Sequence, residues 1–443
     1  MKKFFAALLV LILIVGVAFI CFKLGVSQDK ITFSLSYDFP IWEITTNLIG
    51  IFIAIVTIII SGNQSRKLEK RDMKRESIRA TLTDFTQIRR EHLNRCSNNE
   101  KLNLIDDRSN IRAYIVDLER FATGINMNAY DLETVNKMSG GYLVGKYREY
   151  LRDYIYGTRL DPKGFAVDTA KRYNEFEKMI KDLYQLRSLN WDGEIIIPES
   201  VNTLYYFLSK AVDTTDEIFL QFRSLPNAIE IVGEGKQRCL YVPGTRKDRC
   251  VLVAHADTVY DSLYNNDAKA ENEVLYINNT FTGRNKTVGI GADDRAGLAI
   301  LWLLKDSGHS LLITDGEEHG QVGATYLREH NLELFNELNT HTFMLQLDRR
   351  NNNDFKCYDI RVTDEFIAYI KQETGFTLVE EEKGKTDIKV LCRDICGANL
   401  SVGYYYEHKP EEYLNINEWL NTLDIVQTMV SKPLIKWDVQ QMS

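Results

Sequence analysis

Two imidazoles and a spread of carboxylates stand at the ends of apolar runs in this chain. Val251-Leu-Val-Ala-His255-Ala-Asp257 ends a run of small and branched side chains with a histidine and an aspartate two residues apart. Gly289-Ile-Gly-Ala-Asp293-Asp294-Arg-Ala-Gly297 sets an acidic pair among glycines, and Asp315-Gly-Glu317-Glu318 sets a second pair after another apolar run. Leu345-Gln-Leu-Asp348 and Tyr404-Tyr-Tyr-Glu-His408 add a carboxylate and a second imidazole. Singly, Asp257, Asp293 and Asp348 read as helix caps or turn residues. Together these residues are the inventory that a two-zinc hydrolytic site needs: nitrogen and oxygen ligands, with further carboxylates to orient a ligand or move a proton.

From about residue 195 onward the pattern predicts strands over 228–232, 238–242, 250–254, 274–277, 310–314, 342–347 and 399–404. Helices are predicted over 201–222, 296–305, 322–338, 364–372 and 416–430. Strands separated by helices imply an α/β sandwich with a mostly parallel central sheet. Ligands in such folds lie at the carboxyl ends of strands, which is where His255, Glu317, Glu318 and Asp348 fall. Residues 283–291 are glycine-containing but lack both the Gly-Lys-Ser/Thr ending of a phosphate loop and the GxGxxG pattern.

The same motifs, in the same order, resemble the clan MH co-catalytic zinc metallopeptidases, a group of aminopeptidases, peptidase T, carboxypeptidase G and aminoacylase-type amidohydrolases. The resemblance implies a zinc-peptidase-like three-layer sandwich over residues 195–443. It implies two Zn²⁺ ions, with Mn²⁺ or Co²⁺ as alternatives, held by His255, Asp293, Glu318, Asp348 and His408. By this resemblance Asp293 bridges the metals, Asp348 joins His255 on one, and Glu318 joins His408 on the other. Asp257 orients the His255 ring, as a carboxylate behind a ligating imidazole does. Glu317 is the general base, and a metal-bridged hydroxide cleaves a peptide or related amide bond. The substrates implied are peptides or acyl-amino acids. Only 60 positions separate Asp348 from His408 and 36 separate Asp257 from Asp293, too few for an inserted lid or dimerisation domain. Arg349, Arg350, Arg393 and Tyr404–Tyr406 are candidate pocket residues. His319 reads as a loop residue or one standing behind the ligands, His341 as the start of a strand, and His92, His309 and His330 as solvated.

The rest of the chain sets the context. The formal charge of −8 conceals an asymmetry: residues 1–79 hold 11 Lys/Arg against 6 Asp/Glu, and the remainder 43 against 56. An acidic globular part gives no support to nucleic-acid binding. Residues 4–22 are 19 uncharged positions, long enough at about 1.5 Å per residue to cross a bilayer, and residues 41–61 form a second apolar run. Lys2 and Lys3 precede the first, and seven basic residues crowd positions 66–79 after the second. Basic flanks stay in the cytoplasm, so a two-span hairpin is expected in a bacterial inner membrane, with both chain ends on the cytoplasmic side. Seven cysteines without a regular framework fit a reducing compartment.

Residues 62–194 read as a helical stalk or sensing region. Ile78, Leu82, Phe85 and Ile88 recur at helical spacing, and further helices are expected over 111–121 and 131–154, broken at Gly124 and Gly140-Gly141. Leu118-Glu-Arg-Phe-Ala-Thr-Gly-Ile125, Gly141-Tyr-Leu-Val and Tyr147-Arg-Glu-Tyr-Leu resemble an uncharacterised family of small two-span membrane proteins with a helical cytoplasmic part. That resemblance implies architecture and no chemistry, with homo-oligomerisation through this region as one use. The alternative to an anchored dizinc hydrolase is a catalytically silent or signal-gated membrane sensor or effector. Retention of all seven side chains of the motif set argues against the silent form.

Overall fold

A computed structural model describes residues 41–96, 102, 104–161, 171–261, 273–284, 287–380 and 384–440. The first apolar run, residues 4–22, and the loop expected after it lie outside the described residues. The chain divides into two compact units, residues 1–73 and 74–443.

The second apolar run belongs to a 55-residue helix, α1 (Ile41–Arg95). Among the described residues one helix is long and apolar enough to cross a membrane, where the sequence predicts a hairpin of two. Ile51, Ile53, Ile58 and Ile60 are all exposed. Further along α1 the buried face is Thr81, Phe85 and His92, whereas Leu82 points outward, so the predicted stripe is displaced by part of a turn. His92 is not solvated: it stacks on Tyr114 with ring centroids 3.6 Å apart and meets the Tyr150 hydroxyl at 3.1 Å.

The helical core of the second unit is built from α2 (Arg108–Asn126), a helical run over 132–159 with π-helical turns at Asn136–Gly140 and Tyr147–Leu151, and α3 (Asn174–Leu186). Ile111, Ile115, Leu118 and Ala122 are buried at spacings of three and four, against Phe176, Ile180 and Leu183 of α3. Gly124 lies inside α2. The break predicted at Gly140-Gly141 falls one residue earlier, where Ser139 leaves the helical conformation at φ −158° and ψ 17°.

The remaining helices are α4 (Glu199–Leu208), α5 (Asp216–Arg223), α6 (Ala292–Leu303), α7 (Val322–His330), α8 (Leu332–Leu338), α9 (Asp364–Thr374), α10 (Asp387–Leu391) and α11 (Ile416–Ser431). The strands are β1 (Ile229–Val232), β2 (Arg238–Val242), β3 (Val251–His255), β4 (Val274–Ile277), β5 (Thr280–Gly283) and β6 (Ser310–Thr314). They continue with β7 (Met344–Arg349), β8 (Asp354–Lys356), β9 (Thr377–Leu378), β10 (Gly397–Ser401), β11 (Tyr404–Tyr405) and β12 (Tyr413–Asn415).

An eight-stranded sheet has the order β1-β2-β6-β3-β7-β10-β8-β9, and its central strands β6, β3, β7 and β10 run parallel. Alternation along these strands builds the two covers. Leu252, Leu311 and Leu345 face the core shared with α4, α5, α6, α9 and α11. Val253, Leu312 and Met344 face the smaller core shared with α7, α8 and α10. The result is a three-layer α/β/α sandwich. A second sheet, β11-β12-β5-β4, is antiparallel throughout.

Candidate metal centre

Because β3, β6, β7 and β10 are parallel, their carboxyl ends open on one edge of the sheet. His255 is the last residue of β3, Glu317 and Glu318 follow β6, and Asp348 lies near the end of β7. His408 arrives from the loop between β11 and β12, at φ 62°. Asp293 and Asp294 open α6, joined by a cis peptide bond, and Gly291 before them has φ 65°, a conformation open to glycine at little cost.

Asp293 stands at the centre. Its Oδ1 lies 3.0 Å from His255 Nε2, and its Oδ2 lies 3.2 Å from His408 Nε2. His255 Nε2 also faces Asp348 Oδ1 at 3.4 Å, and His408 Nε2 faces Glu318 Oε1 at 2.8 Å. Two donor groups thus meet at one shared carboxylate, His255–Asp293–Asp348 and Asp293–Glu318–His408, each with ligand atoms within 4.8 Å of one another. The two differ in exposure: the His255 side chain is 1% exposed and that of His408 46%.

Asp257 braces the arrangement from behind. Its carbonyl lies 3.1 Å from His255 Nδ1 and its carboxylate 3.4 Å away. The same carboxylate accepts the backbone N–H groups of Glu317 and Glu318 at 3.1 and 3.2 Å, and His319 Nδ1 lies 3.5 Å from it. One side chain therefore fixes both an imidazole and the acidic pair. The Glu317 carboxylate makes no hydrogen bond or ion pair among the described residues. Burial, reinforced by Asp348 and opposed by His255, pushes its pKa well above the usual carboxylate range.

The donor set suits divalent cations. A carbonyl oxygen can only accept, so His255 Nδ1 keeps a proton for Asp257 and Nε2 is the atom left to bind a metal. Burial, together with the neighbouring Asp293, pushes Asp348 up to about 7 against the pull of His255. Burial works against the charge of His255, but Asp348 and the hydrogen bonds to Asp257, Asp293 and Asp348 hold its pKa well above the ordinary value. Hydrogen bonds that His408 donates to Asp293 and Glu318 push its pKa up to about 11. The carboxylates outnumber the imidazoles, and mixed nitrogen and oxygen donors match zinc, manganese or cobalt. A third acidic group, Asp257–Asp261–Asp315, already has its counter-charge: Lys236 Nζ bonds Asp261 and lies 3.6 Å from Asp315.

Several partners here are invisible to sequence reasoning. Glu412, fully buried, accepts the N–H groups of Gly291 and Asp293 at 2.8 and 3.1 Å, and burial pushes it up to about 8. Asp294, which the sequence places to cap or salt-link the helix that follows, does cap it, accepting Gly297 N at 2.9 Å, and also accepts His255 N at 3.2 Å, tying β3 to α6. Gln346 Nε2 donates to Asp348 at 2.9 Å. Nothing in Glu411-Glu412 marks which glutamate turns inward.

A cleft of about 670 Å³ opens over the group, lined in part by Arg349, Arg350, Tyr358, Lys385 and Tyr404. Arg349 and Arg350 are paired with Asp354 and Glu407. Arg393 is not a pocket residue: it pairs with Asp394 and lies over Phe335. Tyr405 and Tyr406 are absent from the lining, and Tyr406 is exposed. His309 is buried, taking Cys250 N–H on Nδ1 and facing Val430 O from Nε2 at 2.8 Å, so it too departs from the solvated reading.

Residues 44–183 match a family described as Domain of unknown function (DUF4760). A search of curated proteins gives no match. Among solved structures, the chain is similar to aminopeptidase PepT from Bacillus cereus ATCC 10987 (14% identity, 52% of this chain and 97% of that chain, TM-score 0.39). It is also similar to a tripeptidase from Staphylococcus aureus subsp. aureus Mu50 (13%, 52% and 97%, 0.38) and to the TET1 peptidase of Pyrococcus horikoshii (12%, 52% and 99%, 0.36).

Proposed function

We propose that the chain is a membrane-anchored hydrolase of peptide or related amide bonds that works with two divalent metal ions. The observation that carries the reading is Asp293, whose two oxygens turn to separate imidazole–carboxylate pairs. The residues that would hold the ions are His255, Asp293 and Asp348 for one and Asp293, Glu318 and His408 for the other. When bound, the ions supply Lewis-acid polarisation of a carbonyl and a lowered water pKa. Asp257 keeps the His255 tautomer fixed and, through two backbone N–H groups, aims the Glu317–Glu318 turn. Glu317, whose carboxylate has no partner among the described residues, would accept the proton of the attacking water and return it to the departing amine. The apolar stretch of α1 anchors the chain, with the site on the cytoplasmic side.

A signal-gated form of this reading is favoured by one further observation. Tyr156 of the helical run stacks on Tyr276 of β4 at 4.0 Å, and Asp153 accepts the N–H of Asn278, so the helical region grips the second sheet.

The test combines metal analysis with a library of peptides and acyl-amino acids. The purified full chain should contain metal and cleave part of the library. Glu317→Gln should keep its metal and lose about 10²–10⁴-fold in turnover. Wild-type turnover by that variant removes Glu317 from the role, and a metal-free wild type removes the metal reading.

A further inference from the structure

A second cleft, about 650 Å³, lies where the helical region meets the β4–β5 hairpin, away from the metal centre. Arg108 and Arg112 enter it from successive turns of α2, Arg172 from the segment before α3, and Arg284 from the end of β5. Tyr154 and Thr158 complete the helical wall. Among the described lining residues, Glu273 is the one carboxylate against four guanidinium groups. It is shared by Arg108 at 3.1 Å and Arg284 at 2.8 Å. The other carboxylate whose charge reaches Arg284 is Asp106.

Among the described residues Arg112 has no carboxylate partner, and Arg172 donates to the Thr158 carbonyl alone, at 2.9 Å. Arg108 is held over the Tyr154 ring at 5.2 Å, which fixes its plane. The four guanidinium groups therefore come from three separate parts of the chain into one concave space of ligand size, with more positive charge than Glu273 offsets. An arginine fork donates two parallel hydrogen bonds to a phosphate, and several forks favour a ligand with more than one phosphoryl group. In a chain that is acidic overall, such a concentration is not explained by general surface charge.

We propose that this cleft binds a small soluble molecule carrying two or more phosphate groups. The test uses the metal-loaded full chain in detergent, titrated with fluorescent trinitrophenyl-ATP and competed with pyrophosphate, citrate or short-chain phosphatidylglycerol. The expected result is saturable binding, displaced by pyrophosphate in preference to the other two. Arg112→Ala combined with Arg172→Ala should weaken binding at least about tenfold while metal content and melting temperature hold. Should that variant fail to fold, Arg112→Lys with Arg172→Lys keeps the charge, removes the forks and should still weaken binding. Absence of saturable binding, equal binding by the arginine variants, or stronger displacement by citrate or by the lipid would overturn the proposal. Because binding is read directly, this result stands or falls apart from that of the hydrolysis assay.

Discussion

Asp293 joins two half-sites of unequal shelter, and the difference has a measurable consequence. His255 sits under the sheet edge, whereas His408 lies on an open loop with nearly half of its side chain exposed. A chelator should therefore empty the His408–Glu318 position first. Metal-to-protein ratios are expected to fall in two steps, and His408→Ala should hold about half the metal of the wild type. Loss of both ions in a single phase would contradict this ordering. Histidines away from the site report on stability instead. Buried His341 takes a hydrogen bond from Arg249 Nε at 3.0 Å and faces Glu337 O at 3.1 Å, and burial followed by the Arg249 charge lowers its pKa from 6.5 to about 4. Because the folded value lies below the unfolded one, the unfolded chain takes up the proton first as pH falls. The His341 contribution is level above about pH 6.5 and drops between there and about 4, by up to about 3 kcal/mol. Denaturation midpoints at pH 7 and pH 5 should show the drop, and His341→Gln should shrink it. At this scale the sequence was informative where a residue type meets a spacing, as at His255 and Asp257. Where burial alone decides, it was silent at Glu412 and wrong at His92 and His309, which it read as solvated.

At the scale of elements, the central strands were legible because their apolar runs are continuous, as buried parallel strands require. Two of the short strands were not. β5 offers one buried apolar residue, Phe281, and β8 is three residues long, so neither shows a period. The single helix expected over 201–222 is two, α4 and α5. The reason lies far along the chain: Arg295, buried in α6, donates to the carbonyls of Phe207, Ala211 and Thr214, satisfying the backbone where the helix stops. Helix α6 is also where packing and site share a constraint. A Cβ at Gly297 would collide with the Leu347 carbonyl of β7 and with the Asp294 carboxylate. Gly297→Ala should cost about 1–3 kcal/mol in urea unfolding and lower metal content as α6 is pushed from β7. An unchanged midpoint would show that the helix has slack that this packing does not suggest.

For the whole molecule, the division at residues 73 and 74 coincides with a change of surface. Before it, isoleucines of α1 are exposed without a core; after it, the apolar residues gather into buried clusters. The full chain should sediment with membranes and need detergent, and a chain beginning at Lys74 should be soluble and folded. A fluorescent protein fused after Ser443 should glow, as it does on the cytoplasmic side, and a dark fusion would invert the proposed orientation. The antiparallel ribbon β4-β5-β12-β11 has its first hairpin flanked by Glu273 and Arg284 in the arginine cleft. Its last two strands bracket the loop holding His408 and Glu412. Tension applied at one margin of the ribbon thus has three consecutive strand ladders to run along before it reaches His408, and through Glu412 it meets Asp293, where the two half-sites join.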